Sequence, residues 1–296
     1  MPHILIYFLA LLSLSTSPNW AKLNHMPVEV LGFYRLGIAA LLLALWILAK
    51  KQLWKTQNNP PINWFSKATM WAIVSGFLFF LHLWTYKYAA KNTSISNTMI
   101  IFSSNPIWAS IGAITFFGEK ISKQLVFSYF LALLGVYILV AHEFNLASGI
   151  NYGDWSAVIS ALFYAAYMLT GKKARHHFDN VNYALIQYAT CAVFFGFCIL
   201  GTEASITGYD LTSWLAVGGL VLLPTFLGHF SFTYLVKHMN LSIMICGKLI
   251  EPMLASIIAY FVFREKISPY AWVAFALTGA SVLVLFAPVV FKKDKA

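Results

Sequence analysis

The chain is a succession of apolar runs, each about 20 residues long and separated by short polar breaks. A helix that crosses a bilayer needs about 20 mostly apolar residues. Runs of that kind lie near 3–22, 29–49, 68–88, 93–117, 124–141, 153–171, 181–200, 212–235, 240–263 and 269–290. Lipid cannot hydrogen-bond a backbone, so each run has to satisfy its own amides, and the helix is the conformation that does so within one segment. Ten such helices absorb most of the 296 residues and leave no stretch for a separate soluble domain. Composition agrees: 60% of residues are hydrophobic, 10% are charged and the mean hydropathy is +0.72. A soluble domain has about a quarter of its residues charged. An ordinary soluble enzyme, a disordered protein and a disulfide scaffold are all excluded. The first run lacks a basic leader and carries Ser13, Ser15, Thr16, Ser17 and Pro18, so it reads as a span and not as a signal peptide.

Charge then sets orientation. Twenty Lys and Arg against ten Asp and Glu give +10, which in a soluble protein would suggest a nucleic acid. Here the cations punctuate apolar runs, as membrane anchors do, and no nucleic-acid partner is expected. With both termini in the cytoplasm, the inner connections hold Lys50, Lys51, Lys55, Lys67, Lys120, Lys123, Lys172, Lys173, Arg175 and Lys237, and the tail adds Lys292, Lys293 and Lys295. Lys22, Lys87, Lys91, Arg264 and Lys266 fall outside, which satisfies the positive-inside rule. Arg35 and Lys248 fall within spans. Arg35 sits about 9 Å inside the second run by helix rise, close enough for its head to snorkel to the interface.

A near-duplicate divides the chain. Asn105 to Ser122 reads NPIWASIGAITFFGEKIS, and Glu251 to Ser268 reads EPMLASIIAYFVFREKIS, ten of eighteen positions being identical at an offset of 146. The chain therefore reads as two five-helix repeats, 1–146 and 147–296. Because five is odd, the second repeat enters the membrane inverted. Inverted repeats around a central cavity are a design of secondary transporters.

Polar residues inside the runs mark the candidate site. Pro106 and Pro252 are repeat-related and mid-span, and each removes a helical hydrogen bond, which is expected to break the helix. Lys248 and Glu251 lie three residues apart on one helical face, where charge at mid-bilayer must be paired or face a cavity. They read either as a packing ion pair or as a substrate anchor. Asn105 is the repeat partner of Glu251. His82 and His229, 147 residues apart, are expected toward opposite membrane sides, too far apart to share a metal. Tyr86 shares a face with His82, while Ser160, Tyr164 and Tyr167 form a stripe in the sixth run. Cys191, Cys198 and Cys246 have no metal or disulfide spacing, and no metal or other cofactor is expected. The paired Glu119-Lys120 and Glu265-Lys266 read as helix-end contacts.

Taken in order, Pro27 with Phe33-Tyr34-Arg35, His82-Leu83-Trp84, Asn105-Pro106 with Gly118-Glu119-Lys120, Gly228-His229, Glu251-Pro252 and Arg264-Glu265-Lys266 resemble the EamA-type permeases of the drug/metabolite transporter superfamily. The resemblance covers essentially the whole chain. It implies an all-α integral membrane protein of ten transmembrane helices in the bacterial inner membrane, and export of amino acids or related metabolites by alternating access. The expected substrate-binding residues are His82, Trp84, Tyr86, Asn105, Tyr164, Tyr167, His229, Lys248 and Glu251, with protons as a candidate coupling partner at Glu251. The sequence has no GxxxxGK[ST] loop, so ATP is not the direct driver. Import of a nucleotide-like or nucleoside-like metabolite is the alternative within transport. An intramembrane enzyme using a histidine base is the alternative outside it, but neither a nucleophile beside a histidine nor a metal motif accompanies His82 or His229.

Overall fold

A computed structural model describes residues 2–54, 66–92, 104–140, 152–264 and 269–291. Every regular element among them is helical. The first half of the sequence gives α1 (Pro2–Ser15), α2 (Ser17–Lys22), α3 (Val28–Trp54), α4 (Lys67–Asn92), α5 (Asn105–Phe117) and α6 (Lys123–Val140). The second gives α7 (Tyr152–Arg175), α8 (Asn180–Thr202), α9 (Leu211–Leu220), a π-helical segment (Val221–Phe230) and α10 (Ser231–Leu235). It continues with α11 (Leu241–Gly247), a 3-10 turn (Lys248–Ile250), α12 (Glu251–Phe263) and α13 (Pro269–Phe291).

Six described stretches are long and apolar enough to cross a bilayer: His3–Lys22, Val28–Lys50, Lys67–Ala89, Asn180–Thr202, Leu211–Leu235 and Leu241–Phe263. Lys123–Ile138 and Trp272–Phe286 are shorter apolar helices. The helix over the expected sixth span, α7, carries Asp154 in its first turn and Lys172, Lys173 and Arg175 in its last. Residues 93–103 of the expected fourth span lie outside the described residues, as does Glu265.

Helix starts follow local chemistry. Asp179, Asp210 and Asn240 each take an extended backbone and accept from the amide three residues on, at Asn182, Ser213 and Ile243, which satisfies one orphan donor per helix. Glu119 serves the start of α11 from a distance, accepting from the Leu241 amide at 3.1 Å and from the Ser242 amide and hydroxyl. The near-duplicate segments are alike in local form. Both α5 and α12 are 13-residue helices with proline in the first turn, and each ends in a left-handed residue, Gly118 (φ 63°) and Arg264 (φ 58°).

The chain forms two compact units, each drawn from both halves of the sequence: Met1–Trp84 with Ala166–His238, and Thr85–Ala165 with Met239–Ala296. In the first unit α3 packs on α8 and α1 on the π segment. Its α4 and α8 meet closely at Gly76, where a Cβ would lie 2.7 Å from the Gln187 carbonyl oxygen. In the second unit α6 packs on α13 and α5 on α11.

The π segment has an identifiable cause. Pro224 has no amide to donate to the carbonyl four residues earlier, that of Leu220. The Thr225 hydroxyl donates to that carbonyl instead, at 2.8 Å. Bulges of this type gather at functional sites.

Candidate functional site

The second unit holds a charged group at an interrupted helix. The α-helical hydrogen-bond ladder stops at Gly247 and a 3-10 turn runs through Lys248–Ile250. Pro252 occupies the first turn of α12, where its missing amide breaks no bond within that helix. The Lys248 carbonyl, which Pro252 cannot serve, accepts from the Glu251 amide. At Pro252 the helix is interrupted where the sequence places a break, and the proline opens a new helical segment. Pro106 is likewise at the start of α5, buried beside Asn105.

The turn brings Lys248 Nζ within 3.2 Å of Glu251 Oε1, and the ammonium sits 4.5 Å over the ring centroid of Tyr164. Lys248 and Tyr164 are buried, and Glu251 keeps a quarter of its side chain exposed. Tyr86 is close enough to feel both charges. Asn105 is buried, and its Oδ1 has no hydrogen-bond partner among the described residues. The group offers an ammonium held between a carboxylate and an aromatic face, so it presents both signs of charge in a place shielded from water.

The first unit holds an aromatic group. Phe79 contacts the Tyr167 ring at 4.9 Å, the His229 ring at 5.0 Å and the His82 ring at 6.3 Å, and His82 stacks on Tyr167 at 6.1 Å. His82 and His229, expected toward opposite membrane sides, both stand against one Phe79 ring. Phe79 was not legible as a site residue, because a phenylalanine three positions before His82 looks like any other apolar residue in the run. Trp84, expected at the site, is 45% exposed and stacks on Phe80 at 5.9 Å. Tyr164 and Tyr167, one turn apart on α7, belong to different groups, the first with Lys248 and the second with His82.

Arg35 corrects another expectation. It does not snorkel; it is 8% exposed and donates from Nε to Thr225 Oγ1 at 2.8 Å. Tyr188 donates to the Thr225 carbonyl at 3.4 Å. Among the described residues no cluster of three or more His, Cys, Asp or Glu side chains could hold a metal ion. The three cysteines are free thiols.

Comparison with known proteins agrees with this architecture. A solved crystal structure superposes with a TM-score of 0.79 at 18% identity, covering 96% of this chain and 98% of its own, which supports the fold alone. A protein of Archaeoglobus fulgidus, described as an uncharacterized transporter, is 25% identical over 207 residues, 69% of this chain and 72% of its own length. A second Archaeoglobus fulgidus uncharacterized transporter is 21% identical over 257 residues, 85% of each chain. The model of the EamA-like transporter family matches twice, over residues 1–141 and 151–287. With its long apolar helices and this match across nearly its whole length, the chain is an integral membrane protein that belongs to the EamA-like transporter family.

Proposed function

We propose that the protein is a ten-span secondary transporter that exports amino acids or closely related metabolites across the inner membrane by alternating access. In this reading residues 1–146 and 147–296 are inverted five-helix repeats. The near-duplicate around Pro106 and Pro252 and the inward bias of the cations support that topology. Both termini are then cytoplasmic.

The observation that carries the cargo reading is the Lys248–Glu251 pair at the interrupted helix, packed on Tyr164. A zwitterion matches it in kind. Its carboxylate competes for Lys248 and its ammonium competes for Glu251, so binding loosens an internal pair and gives the protein a differential interaction between loaded and empty states. No covalent chemistry is required of either residue. Released from Lys248, Glu251 is also the group through which protons would couple.

The test is counterflow of labelled amino acids in proteoliposomes, comparing wild type with Glu251→Gln at two pH values. Loss of exchange, or loss of its pH dependence, in a folded variant supports the reading. Wild-type flux that keeps the wild-type pH dependence in Glu251→Gln removes Glu251 from the mechanism. Absence of exchange for a broad metabolite panel in the wild type overturns the transporter reading as a whole.

A further inference from the structure

Arg35 is a buried cation whose charge the described residues leave unanswered. A guanidinium stays protonated in proteins, so burial cannot neutralise it. Buried charges are ordinarily paired, since an isolated one costs several kcal/mol. Among the described residues no carboxylate forms an ion pair with Arg35, and four of the described acids are engaged elsewhere. Glu119 holds the start of α11, Asp179 and Asp210 cap their own helices, and Glu251 pairs with Lys248. Nη2 of Arg35 is fully enclosed and has no hydrogen-bond partner among the described residues.

The head is nevertheless held in place. Nε donates to Thr225 Oγ1, and that hydroxyl is committed in turn to the Leu220 carbonyl, which Pro224 cannot serve. One edge of the fork is thus anchored on the π segment while Nη2 is spare. The titratable side chains acting on Arg35 are Tyr188, Cys191 and Tyr167, none of them a Lys or Arg. With no second cation beside it among the described residues, a single guanidinium suits a singly charged anion better than a phosphate dianion. Tyr167 also carries the site outward, because its ring packs on Phe79 and His82.

We propose that Arg35 is an anion anchor of the first unit, which binds the carboxylate of a cargo whose body is aromatic or apolar and rests on the Phe79–Tyr167 group. The inference rests on the transporter reading only in naming the anion as cargo; binding itself is measured without transport. Because Nη2 is enclosed, the carboxylate gains it when the π segment shifts. The Thr225–Leu220 bond, made by a side chain where proline removed a backbone bond, is the place for that shift.

Three probes of one shape test it: 3-phenylpropionate, the neutral 3-phenylpropanol and the cationic 3-phenylpropylamine. Each is titrated onto purified full-length protein in nanodiscs, with ligand-induced thermal shift as the readout. Wild type is expected to bind the carboxylate at least about tenfold more tightly than the alcohol, the size of one charge-assisted hydrogen bond. Arg35→Gln should erase that preference. Arg35→Lys, which keeps the charge but loses the fork, should reduce it, and it decides the matter if Arg35→Gln does not fold. A wild type with no preference for the carboxylate overturns the proposal, as does an unchanged preference in either variant. Such a failure leaves the counterflow result standing, and a failed counterflow leaves the binding preference standing, so the two readings fall separately.

Discussion

Replacing Glu251 by glutamine removes a charge while keeping shape, and the structure sets the size of the effect. At 3.2 Å the pair attracts by about 5 kcal/mol if the effective dielectric is about 20. Much of that offsets the desolvation of two ions, but deleting one partner strands the other. The cost of breaking a buried pair is about 3–5 kcal/mol. Glu251 keeps a quarter of its side chain exposed, which puts Glu251→Gln near the lower end, at about 3 kcal/mol. Lys248 also retains the face of Tyr164, a contact worth about 1 kcal/mol that limits the loss. The assay is unfolding in mixed micelles with increasing SDS, run as a cycle of Glu251→Gln, Lys248→Met and the double variant. Removing both charges should recover most of the single loss, with a coupling energy of about 2 kcal/mol or more. A single loss below about 0.5 kcal/mol, or strict additivity of the two changes, would refute the reasoning from a buried pair. Counterflow on the same proteins separates the roles. A packing pair predicts that the double variant regains flux along with stability; a cargo anchor predicts a folded protein with no flux.

Arg264 holds a left-handed conformation where the near-duplicate segment has Gly118, so Arg264→Gly should raise stability by about 1 kcal/mol in the same micelle assay. Gly76→Ala places a Cβ against the Gln187 backbone and Thr190 Cβ, neither of which can swing aside, and should lower stability by about 1–3 kcal/mol; a neutral effect would show that α4 and α8 are further apart there. Acidification should destabilise the protein in two stages. Partial burial, with His3, Arg175 and Lys237 close by, lowers the pKa of His238, so its contribution is present above about 6.5 and is lost as pH falls through the folded value. Hydrogen bonds from Ser213 and His25 lower that of Asp210, whose contribution is present above the unfolded value of 3.8 and is lost as pH falls below it. In thermal melts across pH, His238→Gln should flatten the upper stage and Asp210→Asn the lower, and a variant that leaves its own stage unchanged would contradict that assignment.

Some of the site was legible because its chemistry is expensive in lipid. Lys248 and Glu251 stand out as charges inside an apolar run, and their spacing of three predicts the contact seen at 3.2 Å. The capping residues Asp179, Asp210 and Asn240 are equally local, since their oxygens act on amides three positions away. The partners supplied by distant segments were not legible. Nothing in the run around Phe79 distinguishes it from Phe77 or Phe80, yet it is the ring that both histidines touch. Arg35 was visible as a cation near a helix end, a position that fits snorkelling equally well.

The amino-acid sequence by itself determined that the chain folds as apolar helices, where several of them begin, and that two segments 146 residues apart share one local design. These properties depend on composition, on neighbours within a turn, and on the need of each helix to satisfy its own backbone. Tertiary structure decided which side chains meet. It sent Tyr164 to Lys248 and Tyr167 to His82, turned Trp84 outward against Phe80, and enclosed Arg35 on a hydroxyl of the π segment. Those outcomes depend on how helices distant in sequence rotate and pack, and a uniformly apolar run does not record which of its faces another helix will cover.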